Sequence, residues 1–106
     1  MKKTTLIVLF NLKEGVSEAE YEQFAQEIDV PTVVRLNAVE SFKVFRTSGV
    51  LGSEAPAPYR YVEVIEVADL DGLFGELGTE TMQRVAGQFQ AFAENPVFIM
   101  ADAFAG

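Results

Sequence analysis

Residues 58–67 read PYRYVEVIEV, a stretch rich in β-branched and aromatic side chains, and this composition predicts a β-strand. Successive side chains of a strand point to opposite faces, so its odd and even positions meet different neighbours. Both sets are mostly apolar, which indicates that both faces of the strand are covered. Each face nevertheless contains a carboxyl group, Glu63 on one beside Tyr61 and Glu66 on the other beside Val64. A carboxyl group in such surroundings requires a partner or a chemical role.

The segments on either side of this strand complete a familiar order of elements. Residues 4–12, 39–47 and 97–105 also have the composition of strands, whereas residues 17–28 and 79–95 have the spacing of amphipathic helices. The resulting order, β-α-β-β-α-β, is the ferredoxin-like pattern. The sequence therefore predicts the α+β class, with a four-stranded antiparallel sheet and the helices on one face.

The first predicted helix has clear signals at both ends. Ser17 followed by Glu20 forms an S-x-x-E capping box. Pro31 ends the helix and can begin a short second helix over residues 31–37. The apolar side chains at helical spacing form one face, which we expect to pack on the sheet: Tyr21, Phe24, Ala25 and Ile28.

Similar signals divide the second half of the chain. Asp69 is expected to cap a short helix over residues 67–78, and Thr79 is expected to cap the longer helix that follows. The dipeptide Asn95-Pro96 is expected to end that longer helix before the last strand begins.

Helices on one face leave the other face of the sheet uncovered. Because the strands over residues 4–12, 58–67 and 97–105 are apolar on both faces, the second face also needs a covering layer. A second copy of the chain is the economical cover, since two sheets can close face to face. We therefore expect residues 1–106 to form one domain of a barrel-like homodimer.

The composition excludes several classes of function. The formal net charge of −8 opposes binding to nucleic acid, whose phosphates require Lys and Arg. No apolar run is long enough to span a membrane, and the lack of Cys fits a cytoplasmic protein. The chain has no His, which is the commonest metal ligand and the usual proton shuttle near neutral pH. We therefore expect no metal, and we expect any acid–base chemistry to depend on carboxyl groups, Tyr, Lys or Arg.

Glu63 is the first candidate for a catalytic residue. Burial in the middle of a strand would raise its pKa, which suits a general acid or base. The structural alternative is a salt bridge to Arg46 or Lys43, either on the neighbouring strand or across the dimer. Tyr61, on the same face, is a further catalytic candidate because a buried phenol needs a hydrogen-bond partner.

Two other carboxyl groups require an explanation. Glu66 and Arg60 share the second face of the strand, and we expect them to form pairs across strands or at the dimer interface. Asp29 is the third catalytic candidate, and its alternative role is to cap the short helix that begins at Pro31.

A pocket between the helices and the sheet is the expected place for a substrate. The candidate substrate-binding residues are mostly aromatic, with one cation to steady developing negative charge: Tyr21, Phe24, Phe42, Arg46, Met82 and Phe89. The alternative is that these side chains are ordinary members of the core.

Three stretches carry a family resemblance, and they cover most of the chain. They are LKEGVSEAEYEQFAQEIDVPTVVRLNAVESFKVFRT (12–47), PAPYRYVEVIEV (56–67) and TETMQRVAGQFQAFAENPVFI (79–99). In these stretches the chain resembles the RedY-like (HapK-like) family of the dimeric α+β barrel superfamily, which is associated with prodiginine-type pigment biosynthesis. The resemblance implies the same fold that the order of elements predicts.

The resemblance also implies a small aromatic substrate of prodiginine or pyrrole, indole or polyketide type, handled without metal or flavin. In related branches of the superfamily a His commonly occupies the position of Asp29, so a carboxylate here replaces an imidazole. Three functions remain open. The first is a cofactor-independent enzyme of secondary metabolism, in which Glu63 or Asp29 moves a proton. The second is a non-catalytic binding or chaperone-like protein for an unstable apolar metabolite. A purely structural interaction module is a third.

Overall fold

The chain forms four strands, β1 (Thr4–Leu12), β2 (Val39–Arg46), β3 (Tyr61–Val67) and β4 (Ala93–Ala101). In the computed structural model, which describes residues 2–106, they form one sheet in the order β2-β3-β1-β4. Every neighbouring pair is antiparallel. Strands β3 and β1 are therefore central, whereas β2 and β4 form the edges.

The helical segments occur where the β-α-β-β-α-β order predicts them. They are α1 (Glu18–Phe24), a π-helical turn (Ala25–Asp29), α2 (Val30–Val33), α3 (Leu70–Leu77) and α4 (Glu80–Phe92). Their apolar side chains join those of the sheet in one core cluster. The predicted α+β, ferredoxin-like fold is confirmed. Within residues 2–106, no helix has the length and apolar character needed to cross a membrane.

Strand β3 alternates as its sequence predicts. Tyr61, Glu63 and Val67 face the helices and are only 1%, 4% and 1% exposed. The even positions lie on the opposite face of the sheet, where Glu66 is exposed. The two carboxyl groups of this strand therefore occupy different environments, one in the protein interior and one in water.

The face of the sheet opposite the helices is apolar at its centre. Cross-strand pairing places Ile7 beside Val64 and Ile99, and Leu9 beside Val62 and Val97. We call these six residues the open face: Ile7, Leu9, Val62, Val64, Val97 and Ile99. All six are partly exposed, and Val97 and Ile99 retain 41% and 40% of their accessible surface.

The prediction that Ile28 faces the sheet is wrong, because the first helix widens into a π-helical turn after Phe24. The backbone N–H of Val30 donates to Ala25 O, five residues back. Pro31 gives a physical reason, since its ring would clash with the carbonyl four residues earlier in a regular α-helix. Because the wider turn contains one extra residue, the position that faces the sheet shifts from residue 28 to residue 29. Ile28 is 37% exposed and Asp29 is 5% exposed.

The predicted boundary between the last helix and the last strand is also wrong. Strand β4 begins at Ala93 and ends at Ala101, so Asn95-Pro96 lies inside the strand. An edge strand tolerates proline because the missing N–H removes no bond on its free side. Asn95 has a φ of 45°, and the pairing shifts between Leu9 and Asn11 on β1. This irregularity accommodates the two residues within the sheet.

Strand β3 begins at Tyr61, so Arg60 lies outside the alternating pattern. Its Nε donates to Glu18 Oε2 of α1 at 2.7 Å. Glu66 instead accepts a hydrogen bond from Thr5 Oγ1 of β1 at 3.0 Å. Glu66 therefore pairs across strands, as predicted, whereas within the chain the side chain of Arg60 forms its ion pair with a helix.

Two of the three predicted helix caps form. Ser17 Oγ accepts from the backbone N–H of Glu20, whose carboxylate in turn accepts from the backbone N–H of Ser17. Thr79 Oγ1 accepts from the backbone N–H of Met82 at the start of α4. Asp69 precedes α3, but its side chain makes no capping hydrogen bond.

Candidate acid–base site

A cavity of about 180 Å³ lies between the helices and the sheet. Its three polar lining residues are Asp29, Glu63 and Gln90. The other twelve are apolar: Leu6, Val33, Val39, Phe42, Ile65, Leu73, Leu77, Met82, Val85, Ala86, Phe89 and Phe98. Two carboxyl groups therefore share one small apolar space.

Glu63 reaches this cavity because β3 is central and its odd positions face the helices. Its Oε2 accepts a hydrogen bond from Tyr21 Oη of α1 at 3.2 Å. The alternative of a salt bridge to Arg46 or Lys43 within the chain is wrong: Arg46 pairs with Glu22, and no ion pair between described residues includes Glu63. A buried carboxyl without a cation favours its neutral form.

Asp29 reaches the same cavity through the π-helical turn. Its own φ and ψ are helical, and its side chain makes no capping hydrogen bond to α2, so the capping interpretation is wrong. None of the hydrogen bonds within the described chain includes its carboxylate. Every fully enclosed polar side-chain atom of the described chain has a hydrogen-bond partner, so the carboxylate oxygens of Asp29 are not fully enclosed. Its oxygens therefore reach the space of the cavity, where a ligand or water can contact them.

The two carboxyl groups differ in their affinity for a proton. Burial raises the pKa of Asp29 from 3.8 to about 6. Burial, and then the negative charge of Asp29, raise the pKa of Glu63 from 4.5 to about 8, although the Tyr21 hydrogen bond lowers it. Near pH 7 the first group is therefore mainly a carboxylate and the second mainly a carboxylic acid.

Replacing Tyr21 by Phe tests how Glu63 is tuned. The Tyr21 hydroxyl stabilises the ionised form of Glu63, so its loss should raise the pKa of Glu63 further above 8. Carboxyl ¹³C chemical shifts measured against pH report this value. Tyr61→Phe is the matched control, because its hydroxyl bonds to Glu22 instead. An unchanged or lower pKa in Tyr21→Phe would contradict the assignment.

A second concave region lies beside α1 and β2, and we call it the outer cleft. Its volume is about 720 Å³, and its lining includes Tyr61, Arg46, Glu22 and Phe42. Arg46 Nη1 contacts both carboxylate oxygens of Glu22 at 2.7 Å, and Tyr61 Oη donates to Glu22 Oε2 at 2.8 Å. The pKa of Glu22 is lowered, first by the hydrogen bond from Arg46 and then by that from Tyr61.

The candidate residues chosen from the sequence thus separate into three groups. Glu63, Asp29, Phe42, Met82 and Phe89 meet at the cavity. Tyr61 and Arg46 line the outer cleft, and Phe42 lines both spaces. Tyr21 connects the two, since it lines the cleft and its hydroxyl bonds to Glu63. Phe24 lines neither space and packs against Phe92 in the core, with ring centroids 5.3 Å apart.

Sequence reasoning missed Glu22 and most of the apolar wall of the cavity. Glu22 follows the inward-facing Tyr21 and is one of several Glu residues in the first helix, so composition offered no signal for it. Leu73 and Leu77 of α3 also line the cavity, and their spacing of four residues was the available signal. Between residues 2 and 106, no group of three or more His, Cys, Asp or Glu side chains is arranged to hold a metal.

Comparisons with solved structures agree with this architecture. HapK from Hahella chejuensis is 28% identical, with a TM-score of 0.74 over 97% of this chain and 95% of that one. SnoaB from Streptomyces nogalater, described as a cofactor-independent oxygenase, is 16% identical, with a TM-score of 0.77 over 100% of this chain and 97% of that one. A dimeric ferredoxin-like protein of unknown function from Thermobifida fusca is 14% identical, with a TM-score of 0.71 over 95% and 91%.

The last two likenesses establish the fold alone, because the identities are low. No curated protein matches the sequence significantly. The family model described as REDY-like protein HapK matches residues 4–104, which is nearly the whole chain. The chain therefore belongs to the HapK family of REDY-like proteins.

Proposed function

We propose that the protein is a cofactor-independent enzyme that carries out acid–base chemistry on a small aromatic substrate. The observation that supports this proposal is the pair Asp29 and Glu63, which share one apolar cavity and hold protons of different affinity. Neighbouring groups whose environments separate their pKa values can serve as base and acid in one reaction. Asp29 would remove a proton from the substrate, and Glu63 would donate to the oxygen where charge develops.

The walls of the cavity support an aromatic substrate. Phe42, Phe89 and Phe98 offer three aromatic rings, and aliphatic side chains supply the remaining apolar contacts. Membership of the HapK family supports a substrate from secondary metabolism, of prodiginine or pyrrole, indole or polyketide type. SnoaB shows that this fold can host oxygenase chemistry without a cofactor, which is compatible with acid–base groups supplied by the chain itself.

The proposal can be tested with 5-nitrobenzisoxazole, a small neutral probe of carboxylate bases. Removal of its ring proton by a base breaks the N–O bond and releases a coloured cyanonitrophenolate. We expect kcat/KM to rise with pH through about 6, as Asp29 loses its proton, and to fall through about 8, as Glu63 loses its own. The measurement is the initial rate of product formation across this pH range.

Two outcomes would count against the proposal. A rate no higher than that of free acetate at the same concentration would exclude a competent base in the cavity. Binding of the probe without acceleration would instead favour a non-catalytic protein that shelters an apolar metabolite.

We also propose that the protein acts as a homodimer in which two open faces pack together. The support is the contiguous, partly exposed apolar surface of the open face. The likeness to a dimeric ferredoxin-like protein is a second support. Such packing would complete a barrel-like arrangement and leave the cavity on the helix side of each protomer.

Substitution of Ile7 by Arg tests this assembly. Ile7 lies on β1 between Val64 and Ile99, so a charge there would be buried in the dimer yet hydrated in the monomer. We expect the variant to be monomeric and folded by light scattering and circular dichroism. Phe74→Arg is the control, because Phe74 is 62% exposed on α3 and outside the open face. A monomeric unmodified protein would contradict the proposal.

A further inference from the structure

We infer that the cavity selects a substrate with a single aromatic ring and a positively charged nitrogen, and that it rejects carboxylates. This inference rests on the proposed function, since it names the substrate class of the same site. It follows from which charges line the cavity and which do not.

The size of the cavity limits the ligand first. Its volume is about 180 Å³. An engineered apolar cavity of roughly 150 Å³ is known to hold benzene, so the space here suits one ring with a short substituent. A larger ligand would have to extend out of the cavity.

The charged groups of the lining then determine the sign of the charge that a ligand can carry. Asp29 and Glu63 are the two ionisable side chains of the lining, and neither Lys nor Arg contributes to it. Asp29 is 5% exposed and forms no ion pair with a described residue. A buried carboxylate without a counter-ion attracts a cation and repels an anion more strongly than it would in water.

Two arginines on neighbouring elements of the fold are engaged outside the cavity. Arg46 is held by Glu22 in the outer cleft. Arg60 is held by Glu18 at 2.7 Å, and its Nη1 also donates to Thr47 O. Neither arginine therefore neutralises Asp29, and a cationic ligand would supply a counter-charge to its carboxylate.

The aromatic walls favour the same ligand. Phe42, Phe89 and Phe98 line the cavity together with Asp29. The face of an aromatic ring attracts an organic cation, and the attraction increases when the cation is removed from water. A protonated amine, amidine or iminium on one ring therefore matches both the carboxylate and the rings.

Three probes of similar size test the inference at pH 7: benzylamine, benzyl alcohol and benzoate. We expect benzylamine to bind at least about tenfold more tightly than benzyl alcohol, and benzoate not to bind detectably, as measured by ligand-observed NMR. The double variant Asp29→Asn with Glu63→Gln should lose this preference but still bind benzyl alcohol. Glu66→Gln is the matched control, because it removes one negative charge from the opposite face of β3.

Several results would overturn the inference. They are benzoate binding as tightly as benzylamine, an unchanged preference in the double variant, an equal loss of preference in Glu66→Gln, or no binding of any probe. These measurements need no turnover. A failure of charge selection therefore counts against this inference, whereas a failure to remove a proton from the neutral probe counts against the proposed function.

Discussion

The double variant Asp29→Asn with Glu63→Gln should convert 5-nitrobenzisoxazole to cyanonitrophenolate with a kcat on the order of a hundredfold lower than that of the unmodified protein. Both substitutions keep the shape of the side chain but remove its ability to ionise, and with it both the proton transfer and the negative charge. The cavity would remain apolar and accessible, so binding of the probe should persist. The comparison of kcat at pH 7 measures the effect.

The single variants should divide the two roles. Asp29→Asn removes the group that is ionised near pH 7, so it should lower kcat at that pH. It also removes the charge that raises the pKa of Glu63, so some activity should return at higher pH as Glu63 becomes the base. Glu63→Gln should abolish the fall in rate above pH 8. Glu66→Gln should match the unmodified protein, and a loss of rate in that variant would contradict the assignment.

The second large effect is on the dependence of stability on pH. A carboxyl group with a raised pKa in the folded protein binds its proton more tightly there than in the unfolded chain. Its contribution to stability is therefore fully present below about pH 4 and is lost as pH rises towards the folded pKa. For Glu63 the rise from 4.5 to about 8 corresponds to roughly 5 kcal/mol, at about 1.4 kcal/mol per pKa unit.

Urea denaturation between pH 5 and 9, at one protein concentration, measures this loss. We expect the free energy of unfolding to fall by several kcal/mol across that range, and Glu63→Gln to make the curve nearly flat from pH 6 upward. Glu18 and Glu22 have lowered pKa values, and their opposite effect is completed at more acidic pH. Equal slopes in the variant and the unmodified protein would exclude Glu63 as the cause.

The fold was predictable because its signals are local and repeated. The alternation in β3 and the spacing in α4 each extend over several residues, and tertiary packing reinforces both. The capping box at Ser17 marks the start of α1 within one residue. The predicted boundary of an element was wrong where the same residues are compatible with two structures. Asn95-Pro96 can end a helix, but it can also lie within an edge strand, as it does in β4.

The candidate site was only partly predictable. Glu63 was identifiable because a carboxyl group stands out in an apolar strand. The sequence left open whether a cation would neutralise Glu63, because Arg46 lies on the neighbouring strand. In the structure the guanidinium of Arg46 binds Glu22 instead, and the sequence alone does not give the position of Glu22. The inward position of Asp29 depends on a π-helical turn, and regular helical spacing predicts Ile28 there instead.

The π-helical turn also shows that chain length, as well as side-chain identity, sets the chemistry of the cavity. Asp29 lies eight residues after Tyr21, whereas two turns of a regular α-helix take about seven residues. Gln26 and Glu27 are both exposed within the turn. A chain lacking either one would keep Tyr21 and Asp29 in line along an uninterrupted α-helix. An intact chain forced into regular α-helix would place the aliphatic side chain of Ile28 where the carboxylate of Asp29 now lies, which would leave Glu63 as the one carboxyl group in the lining of the cavity.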